Sequence, residues 1–150
     1  MPYGHRPDQP NTALMSDADI RRIDELSTTA ALRLLGTVAF GRVAFTLHAL
    51  PAIRPATHVL HEGDVIIRSH SGSELNSAVG QIVAYEAGVI DPEHQLGWSV
   101  SITGKAELVS GTAAERCELL LRPWTGLRPG ALIRIPPEFV SGYALRNGTA

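Results

Sequence analysis

Cysteine is nearly absent: Cys117 is the one thiol in 150 residues. A single sulfur can close neither a disulfide framework nor a zinc cluster of thiolates, and a lone thiol is at home in a reducing cytoplasm. Lysine is scarce and net charge is only −2. Without clustered Lys and Arg, the counterion release that drives nucleic-acid binding has no source. No apolar run approaches the roughly 20 residues of a membrane helix. Met1 to Asn11 is polar and Pro-rich, without the hydrophobic stretch of a secretory signal. These absences predict a cytoplasmic chain with neither nucleic acid nor membrane among its partners.

What is present is enough for one core. An apolar fraction of 44% over 150 residues suits a single domain. Gly (14) and Pro (10) are frequent, which implies many turns and hence many strands. Residues 1–15 read as a flexible arm, either a frayed tail or a strap around a partner subunit. Residues 16–150 read as one domain.

Ser16 with Asp19 has the form of a capping box, and Ile20, Ile23 and Leu26 follow at near-helical spacing. A second short helix is expected from Ser27 or Thr28 to Leu35, stopped by Gly36. The pattern then turns to strands. Thr37 to Leu47 is β-branched and aromatic, with a kink expected at Gly41-Arg42. Pro51 to His61 is a strand that Pro51 and Pro55 make edge-like for part of its length. After the Glu62-Gly63-Asp64 turn comes an apolar strand, 65–69. Ser71 to Glu74 opens a short helix running to about Val79.

Further strands are expected over Gln81 to Ile90 and Gly97 to Val109, the latter interrupted at Gly104. A helix from Thr112 to Leu121, with Glu115 completing a capping box, ends at Arg122-Pro123. Ala131 to Ile135 and Phe139 to Leu145 close the chain. Consecutive strands joined by tight turns favour an antiparallel sheet, and this many strands close more readily into a mostly β barrel with flanking helices than they stay open.

Phe40-Gly41-Arg42-Val43-Ala44-Phe45, Pro51 with Pro55, Arg68-Ser69 followed by Gly72-Ser73, Gly97-Trp98-Ser99-Val100 with Gly104-Lys105-Ala106, and Ile133-Arg134-Ile135-Pro136 with Ser141-Gly142 occur in this order. Together they resemble the pyridoxamine 5'-phosphate oxidase-like family over about Leu26 to Leu145. The resemblance implies a split β-barrel of the FMN-binding type and a homodimer with a small-molecule cofactor at its interface. That cofactor is flavin mononucleotide (FMN), or the deazaflavin F420 in some relatives. Known members are oxidoreductases acting on small molecules, and fold transfers more safely than reaction.

On that resemblance Arg68, Ser69, Gly72 and Ser73 hold the cofactor phosphate, while Thr57 and Trp98 line the ring. The chemistry is apt, since a guanidinium, hydroxyls and the free N–H groups of a helix start all suit an anion. Three positions depart from the family pattern. Glu74 stands where a Lys is usual, Ala56-Thr57-His58 replaces a Val-Asn run, and Tyr143 replaces a common Arg. At about 4 Å and an effective dielectric near 20, one charge pair is worth roughly 4 kcal/mol, and about 1 in bulk water. Glu74 reverses the sign of that interaction unless its carboxylate is engaged elsewhere, for which a Ser71–Glu74 capping box offers a route.

The rest of the sequence holds no second chemistry. The histidines, His5, His48, His58, His61, His70 and His94, form no close pair of metal-ligand spacing, and no metal is expected. Cys117 reads as a buried, inert thiol. Two readings stand: a flavin- or deazaflavin-dependent oxidoreductase, whose cofactor carries the hydride and needs no acid–base pair from the protein, and a cofactor-free barrel acting as a binding module.

Overall fold

The structure is a computed structural model that describes residues 20–121, 124 and 126–148. The arm over 1–15, the cap at Ser16 and the stop at Arg122-Pro123 lie outside the described residues.

The first apolar triplet is not helical. Arg21–Glu25 forms strand β1, each residue paired in register with 143–147 of the last strand. Three apolar residues at intervals of three fit either a helix face or a short strand, and the neighbouring strand decides for the latter. The next segment is the helix expected: α1 spans Thr28–Leu35, with Ser27 Oγ accepting the Ala30 N–H at 3.1 Å. At its far end the Gly36 N–H donates to the Leu32 carbonyl. Its buried face, Ala31 and Leu35, seats it on the sheet. Ser27→Ala is expected to cost about 1 kcal/mol, read as a lowered urea midpoint at unchanged m-value. A midpoint identical to that of the parent chain would show that the cap adds nothing.

Strands β2 (Phe40–Leu47), β3 (Leu50–His61), β4 (Asp64–His70), β5 (Ile82–Asp91) and β6 (Leu96–Lys105) follow, then β7 (Glu107–Leu108), helix α2 (Gly111–Leu120), β8 (Pro129–Ile135) and β9 (Phe139–Asn147). Every pairing is antiparallel, in the order β1-β9-β6-β5-β2-β3-β4-β8-β7. The β7 end of this order curls back to β6. β7 continues β6 after a break at Ala106, so β6 pairs with β9 along its length and β7 pairs with β8 beyond the break. The sheet closes into a split barrel, with β9 and β1 added outside the ring.

Several local expectations change in detail. β2 shows no kink at Gly41, pairing residue for residue with β3. The glycine serves close approach instead: a Cβ there would lie 2.5 Å from the Tyr85 hydroxyl and the Glu86 carbonyl. Likewise the break in the long strand falls at Ala106 rather than Gly104, which stays in β6 because the Pro136 carbonyl packs where its Cβ would be. Pro51 and Pro55 fall where β3 has only β2 beside it, since β4 joins from Thr57 onward. The absent N–H groups therefore face no partner strand. In α2 the cap position is Ser110, two residues before the anticipated Thr112, and no side chain caps it.

The main core fills the barrel with Val43, Phe45, Val65, Ile67, Leu75, Tyr85, Val100, Ile102, Ile133 and Ile135, under α1. A smaller cluster of Ile66, Cys117, Leu121 and Leu132 glues α2 to the outside of β4 and β8. Cys117 is fully buried there and burial pushes its thiol up, as expected of an inert packing residue. Because β4 is covered on both faces, all but its end residues are buried.

Candidate functional site

Alternation along β4 puts Arg68 on the same outer face as Ile66, beneath α2. Its guanidinium is almost wholly enclosed, with 7% of the side chain exposed. The Nε donates to the Gly130 carbonyl at 3.0 Å, and Nη1 donates to Glu118 Oε2 at 2.7 Å. The Nη2 donates to Glu118 Oε1. Arg68 therefore grips a carboxylate in the bidentate fork geometry that guanidinium prefers. The carboxyl of Glu118 is held below its ordinary range by these hydrogen bonds.

The backbone of Arg68 is equally engaged. Its carbonyl accepts the Thr57 hydroxyl at 3.2 Å and the Trp124 indole N–H at 3.3 Å. Thr57 of β3, fully buried, lies opposite Arg68 of β4 and Phe40 of β2. Trp124 meets Phe40 edge-on at 5.7 Å and His70 at 6.1 Å. Beyond Phe40 lies a recess of about 290 Å³ lined by Phe40, Gly41, Arg42, Pro55, Ala87 and Gly88. The Arg68–Glu118 pair and a recess with Gly41 and Gly88 in its wall are thus linked through the Trp124–Phe40 contact.

Ser69 is buried at a register shift between Arg68 and His70. Gly72 takes φ +81° in open space, the left-handed turn conformation that glycine allows. Ser73, not Ser71, is the N-cap of the short 3-10 helix Glu74–Ala78, its Oγ accepting the Leu75 N–H at 3.2 Å. The anticipated Ser71–Glu74 box gives way to an ion pair between Glu74 and Arg54 of β3. The carboxylate in the usual lysine position thus carries its own guanidinium.

Of the sequence candidates, Thr57 and Arg68 are joined by a hydrogen bond, and Ser69, Gly72 and Ser73 follow Arg68 at the end of β4 and in the turn beyond it. Trp98 does not join them. It lies on β6 opposite Val89 and Ala144, and lines a separate apolar cleft of about 320 Å³ with Ile23, Ile90, Ser99, Tyr143 and Leu145. Glu118, Arg54, Phe40 and Trp124 escape sequence reading as site residues. Glu118 is 50 residues from Arg68, so no local spacing betrays the pair. Its one signal is a carboxylate just ahead of the apolar run Leu119 to Leu121.

A second buried polar contact joins α1 to the barrel. His58 Nε2 lies 2.8 Å from the Leu35 carbonyl, and Nδ1 meets the Tyr85 hydroxyl. A carbonyl only accepts, so Nε2 carries the proton and Nδ1 accepts from Tyr85. Burial holds the imidazole below its ordinary value and pushes the phenol up. Both rings are closed off from solvent; they fasten the fold. At the β5–β6 turn, Asp91, Glu93 and His94 bring ligand atoms within 4.8 Å of one another. The Asp91 carboxylate there caps the turn, accepting from the Glu93 N–H and meeting the His94 ring.

A barrel that splits along one strand, β6 pairing with β9 and its continuation β7 with β8, defines the split β-barrel class. The pyridoxamine 5'-phosphate oxidase family model matches residues 27–144, and the chain belongs to this family. An uncharacterized protein of Mycobacterium tuberculosis is 40% identical over 143 residues, 91% of this chain and 94% of that one. The FAD binding protein from Mycobacterium smegmatis is 28% identical, with a TM-score of 0.65 over 83% of this chain and 100% of its own. A conserved protein of unknown function from Corynebacterium diphtheriae is 27% identical, with a TM-score of 0.67 over 83% of this chain and 98% of its own. Among the described residues no helix is long and apolar enough to cross a membrane.

Proposed function

We propose that the chain is a flavin-dependent oxidoreductase working on a small molecule as a homodimer, with the flavin phosphate held at Arg68. The observation that carries this reading is the enclosed guanidinium fork of Arg68, already shaped around two oxygens of one anion. A phosphate offers the same pair of acceptors. The likeness to an FAD binding protein at 28% identity adds support for a flavin. Ser69, Gly72 and Ser73 surround the phosphate, and the recess beyond Phe40 receives the ring. The flavin, whether FMN or FAD, supplies hydride transfer when bound. The protein's part is to orient it and exclude water.

The homodimer reading rests on the outer face of the sheet. Rows set by the strand register place Phe139, Thr103, Ala84, Ala44 and Ile53 side by side, and Tyr143, Ser99 and Gly88 in another row. Phe139 is 71% and Ile53 62% exposed. Small and apolar residues at that exposure suit burial against a second copy.

Titration of the purified chain with FMN and FAD, read by quenching of flavin fluorescence, tests the reading, alongside light scattering for the dimer. Saturable quenching by either flavin supports it. No quenching with either, in a folded dimer, leaves the barrel as a cofactor-free or deazaflavin (F420) module. That second reading draws on one specific observation: Glu74 and Glu118 already neutralise Arg54 and Arg68, so the phosphate end carries no uncommitted guanidinium among these four groups.

A further inference from the structure

The anion on Arg68 is the chain's own. We propose that Glu118 is a built-in competitor for the flavin phosphate, a specificity-determining carboxylate that occupies the Arg68 fork and must swing away before a phosphate can enter. The inference rests on the reading that Arg68 receives the phosphate.

The two partners are unequally fixed. Arg68 is enclosed, its Nε tied to the Gly130 carbonyl, its backbone to Thr57 and Trp124. It cannot follow a departing partner. Glu118 projects from α2 with 51% of its side chain exposed. It can rotate into water and be hydrated there at little loss, while Cys117 and Leu121 keep the helix seated. The exchange therefore replaces one oxyanion by another on a stationary cation.

A phosphate entering while Glu118 stayed would face a carboxylate on the same guanidinium. Like charges so close repel, which excludes joint occupancy. A ligand without phosphate has no reason to displace Glu118. The carboxylate thus narrows the preference for phosphate-bearing over phosphate-free flavin that Arg68 alone would give. It also keeps Arg68 paired when no ligand is bound, avoiding an uncompensated buried charge.

The test compares FMN with riboflavin, which differ by the phosphate, on the full-length chain and on Glu118→Gln. The amide keeps the size of the side chain and removes its charge. Charged hydrogen bonds exceed neutral ones in strength about twofold, so Glu118→Gln is expected to tighten FMN by about tenfold or more, with riboflavin changed by less than about threefold. Glu118→Asp, a charge on a shorter arm, is expected to fall between. A melting curve on each variant confirms that the fold survives.

Arg68→Met separates the two levels of the argument. If it abolishes the preference for FMN while Glu118→Gln leaves both affinities where they were, the phosphate site stands and the competitor is refuted. If the parent chain binds both flavins equally and Arg68→Met alters neither, the phosphate does not reach Arg68, and the inference falls with the reading beneath it.

Discussion

Gly97→Ala is expected to destabilise the chain by roughly 3 kcal/mol or more, lowering its melting temperature by about 10 °C. Gly97 has φ +146°, and a Cβ there would lie 1.9 Å from the Val89 carbonyl oxygen and 2.8 Å from the Ile90 Cα. Both obstacles are backbone, so no side-chain rotation relieves them. The residue is also held on two sides, opposite Ile90 in β5 and Leu145 in β9. Moving it opens both seams. Gly72→Ala is the matched control: φ is +81°, but nothing lies within 4 Å. It pays only the left-handed backbone penalty, about 1 kcal/mol. Thermal melts of the two variants check the comparison; equal losses would show that conformation rather than close approach governs Gly97.

His58→Ala is expected to cost about 3–5 kcal/mol, combining a core cavity with unpaired polar groups. The Leu35 carbonyl loses its His58 donor, and the Tyr85 hydroxyl keeps only the weaker contact to the Ala56 carbonyl at 3.3 Å. Tyr85→Phe removes one hydroxyl and no packing, so a loss nearer 1–2 kcal/mol is expected. The same histidine makes stability depend on pH. Its folded pKa lies below the ordinary 6.5 because burial opposes the charged ring. Above 6.5 both states are neutral and its full contribution is present. As pH falls through 6.5 toward the folded pKa, the unfolded chain takes up a proton that the folded chain refuses. Stability then falls, by at most about 1.4 kcal/mol per pH unit from this group. Urea midpoints at neutral pH and near pH 5 should therefore converge in His58→Gln relative to the parent chain. Parallel slopes in the two proteins would remove His58 as the cause.

The strands from β2 to β5 and helix α1 were legible because their determinants are local. Ser27 and Gly36 bracket a helix whose buried residues, Ala31 and Leu35, recur at its period. Glu62-Gly63 makes a two-residue turn with both φ positive, the hairpin geometry that a Gly signals. The neighbouring turn, His48-Ala49, has the same positive φ values without a turn-forming residue, so nothing local marks it. β1 was hidden for a related reason. Ile20, Ile23 and Leu26 carry a spacing that two structures share, and β9 breaks the tie.

At the proposed phosphate end the sequence named a group of residues but not their partners. Arg68, Ser69, Gly72 and Ser73 are close in sequence, so a strand ending in a turn was bound to gather them. Their electrostatic state was not readable. Glu118 reaches Arg68 from 50 residues away, and Arg54 reaches Glu74 from 20. Trp98 was grouped with the ring on family likeness, and the register sends it to another cleft.

The sequence by itself determined the class of fold and the strand-to-turn segment that carries Arg68 and Gly72, because alternation, capping and turn chemistry act over a few residues. Only the tertiary structure decided which charges meet. A Coulomb partner is chosen by distance in space, and distance between β4 and α2 exists only once the barrel has closed and the helix has docked.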